Sequence, residues 1–227
     1  MSNISVSVDL RACLGPARNQ GPRPTCLAFA ASDAHAAVRA GWRPLSCEYA
    51  FYQAQRRAGR PPNTGALLSA MLEALRKDGQ PEENGWPYLA ATPANSSWTP
   101  PTEVGQLFGR NSMLATHSID QVIQELDRGR AVIVLMMLSR AFYQRNPQGI
   151  IDPPPDEQPE PERRHAVVAV GHGIIDGQRA VLVRNSWGPS WGDAGYGWLT
   201  ERFLGPRIYA AATLLEDVDV SAHSAAA

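Results

Sequence analysis

The sequence has few cysteines, no long hydrophobic run and no excess of charge of either sign. Its 21 basic and 22 acidic side chains leave a net charge of −1, which gives no electrostatic reason to bind nucleic acid or an anionic membrane. The longest apolar run, residues 131–138, is far shorter than the roughly 20 residues that span a bilayer. The first residues also lack the basic and apolar segments of a Sec signal peptide. We therefore expect neither nucleic acid nor a membrane as a partner.

Cysteine usage argues against both a disulfide framework and a zinc site. Cys13, Cys26 and Cys47 are odd in number and widely spaced, so at least one thiol stays unpaired. The chain has no Cys-x-x-Cys or His-x-x-x-His pair. We expect no metal or other cofactor, and a protein of a reducing compartment.

The first half of the chain is predicted to be helical and the second half mostly strands. Thr25 is the predicted N-cap of a helix over residues 26–40, which Gly41 ends, and Ser46 caps the next helix. Residues 80–102 carry five prolines and are predicted to form a long ordered loop. The remaining predicted elements are helices over 46–57, 64–77 and 118–128 and strands over 131–138, 165–170 and 180–184.

This order of elements predicts an α+β fold with a cleft between a helical and a sheet-like half. Residues 147–162 contain six prolines and five acidic residues, and we expect an exposed loop there. The predicted lobes cover residues 13–112 and 113–216, with residues 1–12 packed on the second lobe. Residues 217–227 are predicted to be a disordered tail.

Cys26 is the strongest candidate for a chemical role. It lies at the predicted start of a helix, where unpaired N–H groups and the helix dipole stabilise a thiolate. A small buried hydrophobic residue is an equally good interpretation from position alone. A nucleophilic thiol also needs a base, and spacing does not choose between His165, which opens a strand, and His172 in a turn. His35, His117 and His223 are weaker candidates.

Three motifs resemble those of papain-like (cathepsin-type) cysteine peptidases. The segment from Asn185 is Asn-Ser-Trp-Gly-x-x-Trp-Gly-x-x-Gly-Tyr-Gly, and the segment from His165 is His-Ala-Val-x-Ala-Val-Gly. The segment from Asn19 is Asn-Gln-Gly-x-x-x-x-Cys-x-Ala-Phe-Ala, with the cysteine at Cys26. Cys26 lies 139 residues before His165, within the papain-like range, and 159 residues before Asn185, close to that range.

The resemblance implies a two-lobed fold with a helical lobe, a β-barrel-like lobe and the active site in the cleft between them. It implies that Cys26 is the thiolate nucleophile and His165 its imidazolium partner, with Asn185 orienting the ring. Trp187 is implied to cover the His165–Asn185 hydrogen bond. The side chain of Gln20 and the backbone N–H of Cys26 are implied to form the oxyanion hole.

The same resemblance implies how a substrate binds and where this chain departs from the family. Asn63-Thr64-Gly65 resembles the strip that pairs with an extended peptide. Pro24 replaces a glycine beside the P1 residue, and Arg164 replaces an aspartate before the histidine. Arg23 stands where the family has a half-cystine, so that disulfide cannot form. Ala166 and Leu135 are the residues assigned by resemblance to the P2 pocket.

The resemblance implies a cysteine endopeptidase that hydrolyses peptide bonds through a thioester acyl-enzyme. Two alternatives stay open: a transpeptidase or ligase using the same site, and a papain-like binding module that does not catalyse. Cys26 lies 25 residues from the start of the sequence, and we expect a bacterial enzyme without a propeptide. We expect it in the cytoplasm or translocated without a Sec signal, with a protein or peptide substrate and a regulatory protein partner that restrains it.

Overall fold

The computed structural model of the protein describes residues 2–115, 117–144 and 148–220. Helices and strands alternate irregularly along the chain, and the three longest helices lie in its first half. In chain order the elements are β1 (Ile4–Asp9), α1 (Cys26–Ala37), α2 (Cys47–Ala58), α3 (Leu68–Lys77), β2 (Gly109–Ala115), α4 (Ile119–Asp127), β3 (Val132–Leu138), α5 (Arg140–Tyr143), β4 (Ile150–Ile151), β5 (Glu160–Ile175), β6 (Gln178–Arg184), β7 (Tyr196–Thr200), α6 (Glu201–Leu204) and β8 (Ile208–Val218).

The chain divides into two compact units, which we call the helical unit and the β-rich unit. The helical unit comprises residues 20–113 and the chain from Leu214 onward, and the β-rich unit comprises the chain up to Asn19 and residues 114–213. Residues 13–19 therefore belong to the β-rich unit, whereas the sequence predicts them in the helical lobe. The reason is Arg184, whose guanidinium donates hydrogen bonds to the carbonyls of Gly15 and Pro16.

The sequence predicts a disordered tail from residue 217, which is too early. Asp217 and Val218 are the last residues of strand β8, which pairs with β2. Arg110 on β2 fixes this pairing, because its guanidinium donates to the Leu215 carbonyl at 2.7 Å. Residues 221–227 lie outside the described residues.

Helix α1 forms the centre of the helical unit and is buried on all sides. Half of its twelve residues are alanine, and these small side chains allow neighbouring elements to pack closely. Thr25 precedes α1 but makes no side-chain capping bond, contrary to the prediction, because its hydroxyl instead hydrogen-bonds the Tyr88 hydroxyl at 2.9 Å. The helix also ends at Ala37, three residues before the predicted end, where the Arg39 guanidinium lies over the Phe108 ring.

Helices α2 and α3 follow the predicted pattern with one shifted boundary. Ser46 caps α2 as predicted: its Oγ accepts the N–H of Tyr49 at 3.0 Å and donates to the Trp86 carbonyl at 2.6 Å. Helix α3 starts at Leu68 instead of residue 64. The Gln55 side-chain amide donates to the Thr64 carbonyl at 2.7 Å, which holds the segment before α3 as a turn.

The β-rich unit is built on a mostly antiparallel sheet. Its strand order is β8-β3-β5-β6-β7-β4, and β1 pairs with β5. Of these strand pairs in the described part of the chain, β4 and β7 run parallel and the others antiparallel. Alternate residues of β3 and β5 pack with Phe142 and Phe203 in one apolar core. The predicted α+β class is confirmed, and the strands form an open sheet where the sequence predicts a barrel-like lobe.

The exposed loop predicted over residues 147–162 is present over residues 152–159, where most side chains are exposed, but it is shorter than predicted. Ile150 and Ile151 form strand β4, and Glu160 begins β5. Between them, the Glu157 carboxylate accepts hydrogen bonds from the Ser139 hydroxyl at 2.5 Å and the Ala141 N–H at 3.0 Å. These tertiary bonds hold the segment against the β-rich unit. Residue 147 lies outside the described residues.

All three cysteines lie in the described part of the chain, and none forms a disulfide. Across residues 2–115, 117–144 and 148–220, no helix has the length and apolarity that crossing a bilayer requires.

His35 gives the helical unit a pH-dependent stability that can be measured. Its ring is buried in α1, and burial lowers its pKa to about 4, although a hydrogen bond from Nδ1 to Gln80 Oε1 opposes the change. Arg110 and Arg39 lower this pKa further, and Asp217 raises it. The unfolded chain takes up this proton near pH 6.5 and the folded chain only near pH 4, so stability falls as pH falls through this window.

We predict that lowering the pH from 7 to 5 costs the protein about 2 kcal/mol of unfolding free energy through His35 alone. Urea unfolding at the two pH values measures this. The His35→Gln variant should lose that part of the pH dependence, whereas His117→Gln, an exposed control, should keep it. Equal pH dependence in wild type and His35→Gln would contradict the assignment.

Candidate active site

His165 and Asn185 form a hydrogen-bonded pair in the β-rich unit. His165 lies within β5, and Asn185 directly follows the neighbouring strand β6. Antiparallel pairing of these strands, with Val168 opposite Arg184, brings the two side chains together. Nε2 of His165 lies 2.7 Å from Oδ1 of Asn185, and both residues are buried.

The surroundings of Asn185 determine which nitrogen of His165 carries the proton. Oδ1 of Asn185 also accepts the backbone N–H of Ser186 at 2.8 Å. A backbone N–H is always a donor, so this atom must be the amide oxygen and not the nitrogen. The neutral His165 ring is therefore protonated at Nε2 and presents Nδ1 as a proton acceptor.

Aromatic rings enclose the His165–Asn185 pair. The centroid of the Trp187 ring lies 4.9 Å from that of His165, and Phe142, which is fully buried, lies 5.7 Å from it. Trp187 and Phe142 also contact one another edge to face at 5.2 Å. These rings keep water away from the hydrogen bond, and a hydrogen bond in an apolar surrounding is stronger than one in water.

Burial lowers the pKa of His165 to about 4, and the hydrogen bond to Asn185 opposes that change. Desolvation is the larger cause because the charged ring loses its hydration. By itself this histidine is therefore neutral at pH 7. Only a negative charge facing the ring can keep it protonated there.

Cys26 lies in the helical unit as the first residue of α1, and it is partly exposed. A tight turn precedes it, in which Gly21 has a φ of +60° that favours glycine. A cysteine at the first position of a 12-residue helix lies where the dipole and backbone N–H groups favour a thiolate. This matches the position predicted from the sequence.

Gln20 belongs to the same turn and is buried. Its side-chain Nε2 donates to the Arg23 carbonyl at 2.8 Å, and its own carbonyl accepts the Tyr88 hydroxyl at 2.7 Å. Both ends of the residue are thus fixed within the helical unit. The structure therefore gives the Gln20 amide a defined direction.

Of the predicted substrate-binding residues in the helical unit, Asn63 is exposed and Thr64 is half-buried. The Gln55 amide donates to the Thr64 carbonyl and, at 3.0 Å, to its hydroxyl. A side chain at Gly65 would first meet the Pro24 carbonyl, 4.0 Å away. The glycine therefore lies beside Pro24 without close packing.

The substrate-binding residues predicted in the β-rich unit differ in exposure. Arg164 is exposed, with its guanidinium over the Tyr209 ring at 5.5 Å. Ala166 and Leu135 are partners across β5 and β3, and both are buried. Because side chains alternate along a strand, they lie on the face opposite to that of His165.

The remaining candidates from the sequence have other surroundings. His172 contacts Asp127, with Nε2 2.8 Å from Oδ1, and His117 is exposed. Cys13 is exposed, Cys47 is buried at the start of α2, and His223 lies outside the described residues. Among the described residues, no group of three or more histidine, cysteine, aspartate or glutamate side chains is placed to hold a metal ion.

Sequence reasoning missed two parts of the site. No motif marks Phe142, because its contact with His165 joins segments distant in the chain. Glu48, whose carboxylate contacts Arg23, was given no role although its segment Leu45-Ser-x-Glu-Tyr resembles the family, because an acidic residue in the first turn of a helix is expected for local reasons. The sequence does offer one indication of such a contact, because Glu48 is a charged residue on the face of α2 that is buried.

We predict that Asn185→Asp raises the pKa of His165 by at least about one pH unit, because a carboxylate beside Nε2–H stabilises the imidazolium. The comparison is made in the Cys26→Ala protein, in which no thiolate contributes. Histidine ring nitrogen shifts measured by NMR report the titration, and His35 in the same sample is the internal control. An unchanged His165 titration would contradict the hydrogen-bond geometry.

Known proteins similar to this chain are named as peptidases and cysteine proteases. Peptidase 1 of Dermatophagoides farinae is 28% identical over 210 residues, covering 86% of this chain and 61% of that protein. Cysteine proteinase 1 of Entamoeba histolytica is 26% identical over 188 residues, covering 80% of this chain and 58% of that protein. The chain thus spans about three fifths of the length of these relatives.

The fold agrees with these similarities. The crystal structure of xylellain, a cysteine protease from Xylella fastidiosa, superposes with a TM-score of 0.74 at 20% identity, covering 93% of this chain and 86% of that one. The family model described as papain family cysteine protease matches residues 4–204. The α+β fold is papain-like, and the chain belongs to the papain family of cysteine proteases.

Proposed function

We propose that this chain is a cysteine endopeptidase that hydrolyses peptide bonds through a thioester acyl-enzyme. The observation that carries the proposal is the bond from His165 Nε2–H to Asn185 Oδ1. It leaves Nδ1 as the proton acceptor that an activated thiol requires. Family membership and the position of Cys26 at the start of α1 support the same assignment.

In the proposed reaction, His165 Nδ1 takes the proton of the Cys26 thiol, which gives a thiolate and an imidazolium. The thiolate sulfur attacks the peptide carbonyl carbon, and the electrons of the C=O bond move to the oxygen. The Gln20 amide and the Cys26 backbone N–H donate to this oxyanion. Its collapse breaks the C–N bond, and the leaving amine takes the proton from His165.

Water then completes the cycle. His165, again neutral, removes a proton from a water molecule as its oxygen attacks the thioester carbonyl. The second oxyanion collapses with cleavage of the C–S bond, and the proton returns to the sulfur. The aromatic rings of Trp187 and Phe142 protect the Asn185 hydrogen bond from water throughout, so the ring keeps its orientation.

We propose a protein or peptide substrate bound in an extended conformation. Asn63, Thr64 and Gly65 would supply backbone groups for strand-like pairing, and Gly65 has no side chain to obstruct a peptide. Pro24 would narrow the choice of P1 residue by its bulk. The positive charge of Arg164 would disfavour basic substrates near it.

We also propose residues for a P2 pocket, a cellular location and a mode of regulation. Ala166 and Leu135 are proposed to contribute to a P2 pocket, as their resemblance to family positions implies. We propose a cytoplasmic or translocated bacterial enzyme whose activity a regulatory protein restrains. A ligase reaction and a non-catalytic binding role are outcomes that the experiment below separates from hydrolysis.

We predict that an epoxide-type cysteine-peptidase probe labels the wild-type protein at Cys26. Labelling should be absent in Cys26→Ala and at least about 100-fold slower in His165→Ala, because the thiol then has no base. Cys13→Ala is the matched control, since it removes an exposed thiol and should leave labelling unchanged. Intact-protein mass spectrometry measures the labelled fraction.

Product analysis on a peptide library then identifies the reaction. Hydrolysis predicts new carboxyl ends that carry one ¹⁸O from labelled water, whereas a ligase gives joined peptides. Peptide cleavage retained by Cys26→Ala would contradict the proposal, as would a folded wild-type protein that neither reacts with the probe nor cleaves any peptide.

A further inference from the structure

A fully buried ion pair lies directly behind the turn that carries Gln20 and Cys26. The side chains of Arg23 and Glu48 have no solvent exposure. Arg23 Nη1 lies 2.6 Å from Glu48 Oε2, and Nη2 lies 3.0 Å from Oε1. The contact is therefore bidentate, which fixes the plane of the guanidinium as well as its distance.

The Glu48 carboxylate accepts hydrogen bonds from three different residues. Beyond the two bonds from Arg23, the carboxylate accepts the N–H of Leu89 at 3.1 Å and the indole Nε1–H of Trp98 at 2.7 Å. Arg23 Nη1 also donates to the Leu89 carbonyl at 2.6 Å, and its guanidinium lies over the Tyr88 ring at 5.0 Å. Together these contacts join the turn before α1 to α2 and to the long loop over residues 80–102.

Stability alone does not account for this arrangement. Burying two charges costs desolvation energy that their attraction only partly returns, and apolar replacements of similar volume are often as stable. In addition, the Arg23 Nε–H is buried without a partner in the described part of the chain. A bidentate ion pair fixes the orientation of the backbone that carries its side chains better than an apolar contact does.

The backbone of Arg23 in turn directs Gln20. Its carbonyl accepts the Gln20 side-chain Nε2 at 2.8 Å. The Tyr88 hydroxyl donates to the Gln20 carbonyl at 2.7 Å and contacts the Thr25 hydroxyl at 2.9 Å. A shift of Arg23 would therefore move the Gln20 amide with it.

We infer that the Arg23–Glu48 ion pair and the Tyr88 hydroxyl are a positioning unit for the Gln20 amide, setting its direction toward the oxyanion. This inference rests on the proposed function, in which Gln20 is an oxyanion donor. Arg23, Glu48 and Tyr88 touch neither substrate nor thiol in this role. They act through the backbone and carbonyl groups of the turn.

The test uses two variants chosen to fold. Arg23→Met/Glu48→Gln replaces both charges together, because removing one alone would leave an unpaired buried charge. Tyr88→Phe removes only a hydroxyl. The matched control is Arg57→Met/Asp78→Asn, which removes an ion pair near the surface of the same unit, with Nε–Oδ2 at 2.5 Å. Circular dichroism and thermal unfolding verify that each variant is folded.

Two reactions of the same thiol separate positioning from general damage. Alkylation of Cys26 by iodoacetamide needs the thiolate but no oxyanion donor, whereas amide hydrolysis and reversible binding of a peptide aldehyde need both. We expect kcat and aldehyde affinity to fall roughly 10- to 100-fold in both variants, with KM little changed, because small misplacements of a donor are costly. Alkylation rates should stay within about twofold of wild type, and the control variant should behave as wild type.

Combination with Gln20→Ala decides whether the effect passes through Gln20. If it does, Tyr88→Phe and Arg23→Met/Glu48→Gln lower kcat by less than about threefold further in the Gln20→Ala protein. If each variant lowers kcat as much in the Gln20→Ala protein as in wild type, or if alkylation slows as much as hydrolysis does, the inference is wrong. The proposed function would still stand. A wild-type protein without peptidase activity would overturn both.

Discussion

The hydrogen bond between His165 and Asn185 is the contact on which the proposed chemistry depends. It forms because His165 lies in one strand and Asn185 directly follows the neighbouring antiparallel strand, close enough for their side chains to meet. The Ser186 N–H fixes which end of the Asn185 amide faces the ring. That single choice determines the tautomer, and the tautomer determines that Nδ1 can accept a proton.

Burial gives this histidine an unusual electrostatic state. The aromatic rings of Trp187 and Phe142 that protect the hydrogen bond also remove water from the ring, so the pKa falls to about 4. A catalytic imidazolium at pH 7 is then possible only with a compensating anion. In the proposed mechanism that anion is the Cys26 thiolate, so protonation of His165 and deprotonation of Cys26 depend on one another.

The helical unit uses charge in a different way. Its turn from Gln20 to Thr25 carries the proposed oxyanion donor, and the buried Arg23–Glu48 pair supports it from behind. The hydrogen bonds of Glu48 all come from segments distant in sequence, on the α1 turn, the Leu89 backbone and Trp98. Directional polar contacts therefore hold this turn where apolar packing alone would leave it freer to shift.

The residues with local motifs were predictable, and those defined by distant partners were not. His165, Asn185 and Trp187 were found because their spacing within short segments is characteristic of a family, and their contacts agree with the predicted arrangement. Phe142 was missed, and Glu48 was given no role, because their contacts form only when separate segments pack together. The loop over residues 147–162 was predicted too long for the same reason: its composition indicates exposure, which holds for most of 152–159, whereas Ile150 and Ile151 pair in β4 and Glu157 binds Ser139 and Ala141.

Helix boundaries show the same difference between local contacts, which are predictable, and contacts with distant segments, which are not. Ser46 caps α2 as predicted because a cap is a local contact, with the N–H three residues ahead. Thr25 does not cap α1, since its hydroxyl hydrogen-bonds Tyr88, far along the chain. Local physical rules thus predicted the fold class and most elements, while tertiary hydrogen bonds set the exceptions.

The most direct test of the account is the titration of His165 in wild type and in Cys26→Ala, followed by NMR of the ring nitrogens. We predict an imidazolium at pH 7 in wild type and, without the thiolate, a neutral ring protonated at Nε2 that takes up its second proton only near pH 4. His35 should titrate near pH 4 in both proteins. The same His165 titration in both proteins would contradict the claim that the thiolate and the imidazolium form one unit.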